Sequence, residues 1–447
     1  MKIRLSDHFT YKRIILAVLP SIMMSIFTSI YSIIDGIFVS QFAEEGGFAG
    51  LNLIFPYIMI LGGFGFMLGT GGTALVSKTL GEKNNEKANS IFSLIIYTTL
   101  VLGIVLGLVG YFTVEPISRW MASLSSSNTE AMVNCAIRYG HLLMLGIPLF
   151  MLQNVFQSFF VAAEKPLTGF LFVLAAGLTN IGGDALLVGV FRLSIEGAAI
   201  ATIVGYFIAG FGPLIYFIFK KDALIKLGKT TIDFKAIAKT CTNGISEFAT
   251  NISASIVGMF YNAQLLTYAG VDGVSAYGII MYVSYVFMAI FIGYSIGSAP
   301  IIGYNYGAKN NKELHNVFTK SLILIALTGV VMFTLSQALA YPFSFFFARG
   351  NQNLIDLSTR AMRIYSFVFL TCGFSMFGSA FFTALNNGLI SAIVSLVRSI
   401  GFELVAVLTL PLLWQTDGIW ASAVIAEIGS SIMVTIFYVT NKKKYGY

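Results

Sequence analysis

The sequence has 447 residues, of which 57 % are hydrophobic and 11 % are charged, with a formal net charge of +7 and a mean hydropathy of +0.82. A soluble domain carries about 25 % charged residues, so this composition excludes a soluble enzyme, a disordered protein and a disulfide scaffold. It indicates an integral membrane protein. The three cysteines and three histidines are scattered, which predicts neither a disulfide framework nor a metal site. The basic excess is explained by loops beside the membrane, so we expect no nucleic-acid partner.

Twelve apolar segments, numbered here as spans 1 to 12, are each long enough to cross a bilayer. We expect helices, because lipid offers the backbone no hydrogen-bond partner. The predicted ranges are 12–40, 50–80, 88–113, 131–163, 166–190, 196–219, 237–268, 274–306, 314–342, 355–384, 388–413 and 418–440.

The Lys and Arg residues predict the orientation of these spans. If the N-terminus is cytoplasmic, twenty of the 27 lie in inner segments, five in outer segments and two within spans. We therefore expect a multi-pass protein of the bacterial cytoplasmic membrane with both termini in the cytoplasm. The sequence shows no cleavable signal, because the first apolar run is too long.

The two halves of the chain repeat each other. Residues 81–85 read GEKNN and residues 307–311 read GAKNN, while Glu196-Gly197 before span 6 corresponds to Asp417-Gly418 before span 12. Six spans per half give both halves the same orientation, which is typical of transporters with a substrate site between the halves. We predict an all-α integral membrane protein with twelve transmembrane helices in two pseudo-twofold-related six-helix bundles around a central cleft. Its parts are an N-terminal lobe (1–219), a cytoplasmic linker (220–236) and a C-terminal lobe (237–447).

Five acidic residues lie within predicted spans rather than in loops. A charge at mid-membrane costs about 2.5–3.5 kcal/mol on insertion scales, so such residues are candidates for function. They are Asp35, Asp184, Glu247, Glu403 and Glu427.

Two of these acids predict a cation site. Asp35, Asp184 and Thr202 lie at similar depths below the outer surface, and Asn180 lies one helical turn before Asp184. Such an oxygen-rich cluster suits a small hard cation or a proton, since two neighbouring carboxylates do not both ionise at low cost. The alternative is that these groups only hold the bundle together.

The other embedded groups leave more than one interpretation open. Glu247, with Asn251 one turn later, either attracts a cationic substrate or a proton, or reaches to the inner interface. Met281 and Tyr282 on span 8 are candidates for the wall of the cleft, with simple packing as the alternative.

Arg398 and Glu403 are five residues apart, about 140° on an α-helix. We therefore expect each to find its partner on another helix. Glu427 either lines the cleft or satisfies a buried hydroxyl.

The sequence contains no phosphate-binding loop, so no nucleotide site on this chain can drive transport. No nucleophile-base arrangement supports an enzyme, and we expect no cofactor beyond a coupling ion.

Short segments of the chain resemble the multidrug and toxic compound extrusion (MATE) family, in the bacterial branch of MepA-like and DinF-like members. They are SIID ending at Asp35, the GEKNN turn and its copy, NIGGD ending at Asp184, and GAAIAT ending at Thr202. The resemblance implies an antiporter that exports amphipathic, mostly cationic drugs in exchange for H⁺ or Na⁺. We expect a monomer in the lipid bilayer.

The resemblance also implies roles for single residues. Asp35, Asn180, Asp184 and Thr202 would bind the coupling ion, including a possible Na⁺, with Tyr139 of span 4 beside them. Glu247 matches the acidic residue of span 7, and with Asn251, Met281 and Tyr282 it would contact the substrate. Some relatives carry a second acid on span 10; here span 10 has none between residues 365 and 382, so we place coupling in the N-terminal half.

Two other functions compete with the antiporter. A flippase for a lipid-linked saccharide would need cationic groups in its cleft, whereas the only well-embedded base is Arg398 and acids predominate. A structural or receptor protein would leave the embedded carboxylates unexplained.

Overall fold

The computed structural model describes residues 3–123, 129–220, 224–348 and 350–447, and these residues form helices joined by short turns. Lys2, Lys221 and Arg349, which enter the charge count above, lie outside the described residues, as does part of the predicted linker. The helices, numbered in chain order, are α1 (Tyr11–Phe42), α2 (Gly47–Gly81), α3 (Asn85–Ser123), α4 (Glu130–Ala162), α5 (Pro166–Val190), α6 (Ser194–Phe219), α7 (Phe234–Gly307), α8 (Asn311–Phe347), α9 (Gln352–Tyr365), α10 (Val368–Ala384), α11 (Gly388–Thr409) and α12 (Pro411–Tyr445).

These helices account for the twelve predicted crossings. Ten are long and apolar enough to cross a membrane, or eleven if α9 and α10, bent by 49°, form one span. The 74 residues of α7 contain predicted spans 7 and 8, which meet at Gly270, where φ is 63°. An all-α membrane fold is therefore confirmed.

Several helices run further than the sequence predicts. Span 3 was expected to end at residue 113, but α3 continues to Ser123, and α8 continues to Phe347 instead of 342. The α3 extension contains the Glu115–Arg119 ion pair, one turn apart (3.2 Å), which supports a helix there.

The internal repeat is visible in the backbone at the turns between helices. Lys83 and Lys309 both adopt positive φ, 62° and 54°, and each is followed by an Asn whose side chain caps the next helix. The other turns show the same pairing of left-handed residues: Gly46 with Gly270, Glu164 with Asn386, and Arg192 with Gln415. The repeat predicted from residues 81–85 and 307–311 is therefore a repeat of whole helix–turn units.

Buried apolar side chains form two large cores. One is built mainly from the N-terminal half (α1–α6) and the other mainly from the C-terminal half (α7–α12). Between the halves, α2 crosses the first part of α7 at very short range. A Cβ atom on Gly71 would lie 2.0 Å from the Thr240 carbonyl oxygen, and one on Gly244 would lie 1.9 Å from that of Met67.

The halves also meet at the ends of the helices that carry the lysine-rich turns. A Cβ on Gly81 would lie 2.1 Å from the Tyr304 carbonyl oxygen, and one on Gly307 would lie 2.0 Å from that of Lys78. The Asn386 side chain donates to the carbonyl of Ala74 (3.1 Å). The two halves are thus closed against each other at the lysine-rich end.

The segment before α1 ties the two halves together at this end. The Leu5 amide donates to Glu164 Oε1 in the N-terminal half (2.8 Å), and the Phe9 amide donates to Glu313 Oε1 in the C-terminal half (2.8 Å). Phe9 itself is fully buried, so this contact reinforces the closure.

Candidate functional site

Five predicted residues from four helices come together in the N-terminal half. We call them the N-cluster: Asp35 of α1, Tyr139 of α4, Asn180 and Asp184 of α5, and Thr202 of α6. The carboxyl groups of Asp35 and Asp184 lie within hydrogen-bonding reach of each other. Asp184 is fully buried. The sequence could place these groups at one depth, and the structure adds that their helices are neighbours.

Small residues on α5 allow the close approach of its neighbours. A Cβ on Gly177 would lie 2.5 Å from the ring of Phe27 on α1, and one on Gly183 would lie 2.8 Å from Ala201 on α6. Directly after Gly183 the helix widens into a π-helical segment, Asp184–Val190. Single π turns in α-helices occur frequently at functional sites, and here the segment begins at the buried acid.

The remaining members of the N-cluster lie beside the two acids. The Asn180 amide is 3.4 Å from the Thr202 hydroxyl. The Tyr139 hydroxyl adjoins Thr202 and lies near both carboxyl groups, and the Tyr139 side chain is buried. The cluster therefore combines carboxyl, amide and hydroxyl groups on four helices.

Four oxygen atoms of the N-cluster are buried without a hydrogen bond to any residue that the structure describes. They are Asp35 Oδ1, both carboxyl oxygens of Asp184, and Asn180 Oδ1. Leaving such acceptors unsatisfied costs free energy, and no Lys, Arg or His of the described chain forms an ion pair with either acid. This donor set fits a proton or a small cation with a preference for oxygen ligands.

Two further side chains near Asp35, those of Tyr31 and Tyr206, were not predicted as part of the site. Tyr31 lies one turn before Asp35 on α1 and receives a long hydrogen bond from Gln153 Nε2 (3.4 Å). Tyr206 of α6 lies near both Tyr31 and Asp35, and its ring stacks on Phe150 at 4.8 Å. No feature of these positions distinguishes them from the many aromatic residues that only pack.

A second polar cluster lies in the C-terminal half, and we call it the C-cluster: Tyr261 of α7, Tyr365 of α9, Arg398 and Glu403 of α11, and Glu427 of α12. Arg398 donates to Glu427 at 2.6 Å. Glu403 lies beside the Tyr261 hydroxyl and near Arg398 and Tyr365.

Glu427 therefore satisfies a guanidinium, and it also accepts a hydrogen bond from the Ser375 hydroxyl at 2.5 Å. Of the two interpretations left open for this residue, the buried-hydroxyl interpretation is the one that the structure shows.

The expectation of a partner on another helix is met for Arg398 by Glu427. Glu403 lies near the Tyr261 hydroxyl but forms no hydrogen bond with it. The angle of 140° between Arg398 and Glu403 was wrong, however, because residues Val397–Leu404 form a π-helical segment. In a π-helix the backbone hydrogen bonds join residues five apart. This segment therefore brings Arg398 and Glu403, which are five residues apart, towards the same face of α11.

The predicted substrate residues occupy separate positions along α7. Glu247 is near Arg398, and the Asn251 side chain donates to the Glu247 backbone carbonyl (2.8 Å). Met281 packs against the C-terminal core, and Tyr282 stacks on Phe347 at 6.0 Å. Their part in substrate binding stays a prediction.

The cysteines and histidines form no metal centre in the described ranges. Cys135, Cys241 and Cys372 are free thiols, and no group of three or more His, Cys, Asp or Glu residues there could hold a metal ion.

Comparison with known proteins identifies the family. The MatE family model matches residues 20–186 and 248–408. The multidrug export protein MepA of Staphylococcus haemolyticus is 26 % identical over 414 residues, covering 92 % of this chain and 89 % of the relative. MepA of Staphylococcus aureus MRSA252 is 24 % identical over 416 residues with the same coverage.

Solved structures share the fold. An outward-facing multidrug resistance MATE family transporter of the MOP superfamily superposes with a TM-score of 0.89 at 18 % identity, covering 98 % of this chain and 97 % of that one. A MOP superfamily transporter from Pyrococcus furiosus, described as having a binding pocket of reversed polarity, gives 0.88 at 19 % identity with 98 % of both chains covered. With the family match spanning both halves of the sequence, the chain belongs to the MatE family of membrane transporters.

Proposed function

We propose that the chain is a secondary active antiporter that exports amphipathic organic cations across the cell membrane in exchange for H⁺ or Na⁺. The observation that carries this proposal is the pair of adjacent carboxyl groups, Asp184 and Asp35, without a counter-ion among the described residues. Asp184 is fully buried, and Asp35 is partly buried with its Oδ1 atom enclosed. A buried charge without a partner is strongly unfavourable, so the pair requires a proton or a metal cation. An exchangeable ion can supply this positive charge, as a coupling site requires.

The position of the N-cluster suits loading from the outer side. Asp35 is seven residues from the C-terminal end of α1, and the halves are closed at the opposite, lysine-rich end. The excess of Lys and Arg at that end supports a cytoplasmic location for both termini. In this state the N-cluster would take up an ion from outside.

Two lobes, residues 1–219 and 237–447, would move against each other around a linker at 220–236. The described part of the linker is attached to the N-terminal lobe: the Lys226 amide donates to Asn89 (2.8 Å), and the Gly228 amide donates to Ser93 (3.0 Å). Alternating access then requires the α2–α7 contact at Gly71 and Gly244 to open. A bulkier residue there, such as Gly244→Val, is expected to prevent closure and stop export, and cysteine accessibility from the two sides would show the altered state.

The proposed class of cargo follows from the charges in the protein and from its relatives. Acids exceed bases among the embedded groups, which favours cationic ligands, and the relatives from Staphylococcus are multidrug export proteins. We propose that the chain works as a monomer and without a cofactor other than the coupling ion.

Uptake of ethidium into proteoliposomes, with a proton or a sodium gradient imposed separately, tests the proposal. Export driven by one gradient supports antiport and names the ion. Asp35→Asn and Asp184→Asn should each reduce gradient-driven transport to the level of empty liposomes, because Asn keeps the size of the side chain but loses its charge. Asp356→Asn makes the same chemical change at an exposed position and should leave transport unchanged. Transport under neither gradient, or normal transport by the two N-cluster variants, would contradict the proposal.

A further inference from the structure

Three acidic residues lie around Arg398, more than its single positive charge can pair with. Glu247, Glu403 and Glu427 all lie close enough to influence this one guanidinium. Glu427 forms the ion pair with it and is further satisfied by Ser375. Glu403 and Glu247 form no ion pair with any residue that the structure describes, so Arg398 leaves two carboxyl groups of the C-terminal half without a cationic partner.

Aromatic side chains surround the unpaired Glu403. Tyr261 is 3 % exposed, and its hydroxyl lies beside the Glu403 carboxylate but completes no hydrogen bond with suitable geometry in the described structure. Its ring is stacked with that of Tyr277, with centroids 5.2 Å apart and an interplanar angle of 11°. A carboxylate and a tyrosine ring at one site attract organic cations, the carboxylate by its charge and the ring by a cation–π interaction.

We propose that Glu403, Tyr261 and Tyr277 form a binding site in the C-terminal lobe for the positively charged group of an exported organic cation. The site is separate from the N-cluster and rests on the proposed function, since it assigns a place to the cargo of the same antiporter. Glu247 adds negative potential near the site through its closeness to Arg398.

Arg398 controls access to this site by charge. The π-helical segment Val397–Leu404 places Arg398 near Glu403. The guanidinium therefore competes with an organic cation for the Glu403 carboxylate. Glu427 keeps it engaged at 2.6 Å. Loss of Glu427 would release Arg398, which would then pair with Glu403 and exclude the ligand.

This competition predicts an unusual pattern among variants. Glu403→Gln removes the binding charge, and Glu427→Gln lets Arg398 cover it, so each is expected to weaken cation binding roughly tenfold. The double variant Arg398→Gln with Glu427→Gln removes a neutral pair and leaves Glu403 free, so it should bind within about threefold of the unchanged protein. A purely structural role of these residues would not produce recovery in the double variant.

The experiment measures ethidium binding to the purified full-length protein in detergent by fluorescence anisotropy. Glu82→Gln, an exposed change of the same kind, serves as the matched control. Tyr277→Leu provides a second test of the site if Glu403→Gln does not fold, and it should weaken binding roughly fivefold by removing a ring.

Three outcomes are decisive. Weak binding by the two single variants with recovery in the double variant supports the site. Unchanged affinity in Glu403→Gln, or in Tyr277→Leu if it is used instead, overturns it, as does a double variant as weak as Glu427→Gln. A failure of the proposed function looks different, because the unchanged protein would then transport no ethidium under either gradient.

Discussion

The N-cluster and the C-cluster are built on equivalent helices but carry different charges. Both halves bring polar groups from their first, fourth, fifth and sixth spans to one place, and in both the fifth span contains a π-helical segment with an acid in it, Asp184 or Glu403. The N-cluster joins two acids without a base among the described residues, whereas the C-cluster contains Arg398.

The difference suggests how one repeated fold can serve two tasks. Buried carboxylates must be neutralised, and the N-cluster has no internal group that does so, which leaves the charge to an exchangeable ion. In the C-cluster, Arg398 pairs with Glu427, which leaves Glu403 and its tyrosines for the ligand proposed above. Under the two proposals, ion coupling belongs to the N-terminal half and cargo recognition to the C-terminal half.

The largest expected effect comes from making the N-cluster resemble the C-cluster. Asn180 lies four residues before Asp184, as Arg398 lies five before Glu403, so Asn180→Lys would supply a tethered cation beside Asp35 and Asp184. We expect gradient-driven export of ethidium to fall to the level of empty liposomes. Because the new charge pairs with buried acids, thermal stability should be maintained or increased.

Asn180→Gln keeps the amide without adding charge and is the control for the longer side chain. It should retain a substantial part of the transport that Asn180→Lys loses. If Asn180→Lys still exported ethidium under the same gradient, the N-cluster could not be the place where the coupling ion binds.

The next largest effect is on stability, and here the C-cluster is expected to be more sensitive to substitution than the N-cluster. Arg398→Met leaves Glu427 buried without its ion pair, and breaking such a pair by removing one partner costs about 3–5 kcal/mol. Replacing both members, Arg398→Met with Glu427→Gln, should recover most of that loss. Thermal unfolding followed by the fluorescence of the purified protein measures both changes.

Asp35→Asn provides the contrast, because Asp35 has no counter-ion among the described residues to lose. Its thermal stability should equal or exceed that of the unchanged protein. Destabilisation of Asp35→Asn as large as that of Arg398→Met would indicate that the N-cluster is a structural network like the pair in the C-cluster.

The sequence was sufficient to place the acids of the N-cluster at one depth, but not to show that their helices are neighbours. Asp35, Asp184 and Thr202 could be placed at one depth because each is a fixed number of residues from the end of an apolar span. Tyr139, known only from the family resemblance, also lies there. Because each helix must cross the same membrane thickness, the depth of a residue is easier to predict than its contacts with neighbouring helices.

The C-cluster was harder to predict for a physical reason. An angle computed from the α-helical repeat separates Arg398 from Glu403, and only the π-helical segment Val397–Leu404 removes that separation. Local widening of a helix depends on tertiary packing and has no clear signal in a single sequence. The same limit concealed Tyr206, whose closeness to Asp35 depends on how α1 and α6 pack.

The smallest expected effect concerns ion pairs at the outer ends of the two halves, where the repeat is nearly unmodified. Arg138 pairs with Glu196 at 2.6 Å and with Glu44, and Arg360 pairs with Asp417. These residues are at least partly exposed, and exposed pairs contribute about 0–1 kcal/mol. Arg138→Gln and Arg360→Gln should therefore lower stability slightly, with Arg138→Gln the larger because that residue joins two acids.

Salt distinguishes this surface effect from an effect in the buried clusters. At about 1 M salt the Debye length falls to roughly 3 Å, so both variants should unfold at the temperature of the unchanged protein, while Arg398→Met should remain destabilised. Ethidium export by the two surface variants should be unchanged at either salt concentration. Loss of export without loss of stability would instead make the outer pairs part of the gate, and the functional difference between the halves would then not be confined to the N-cluster and the C-cluster.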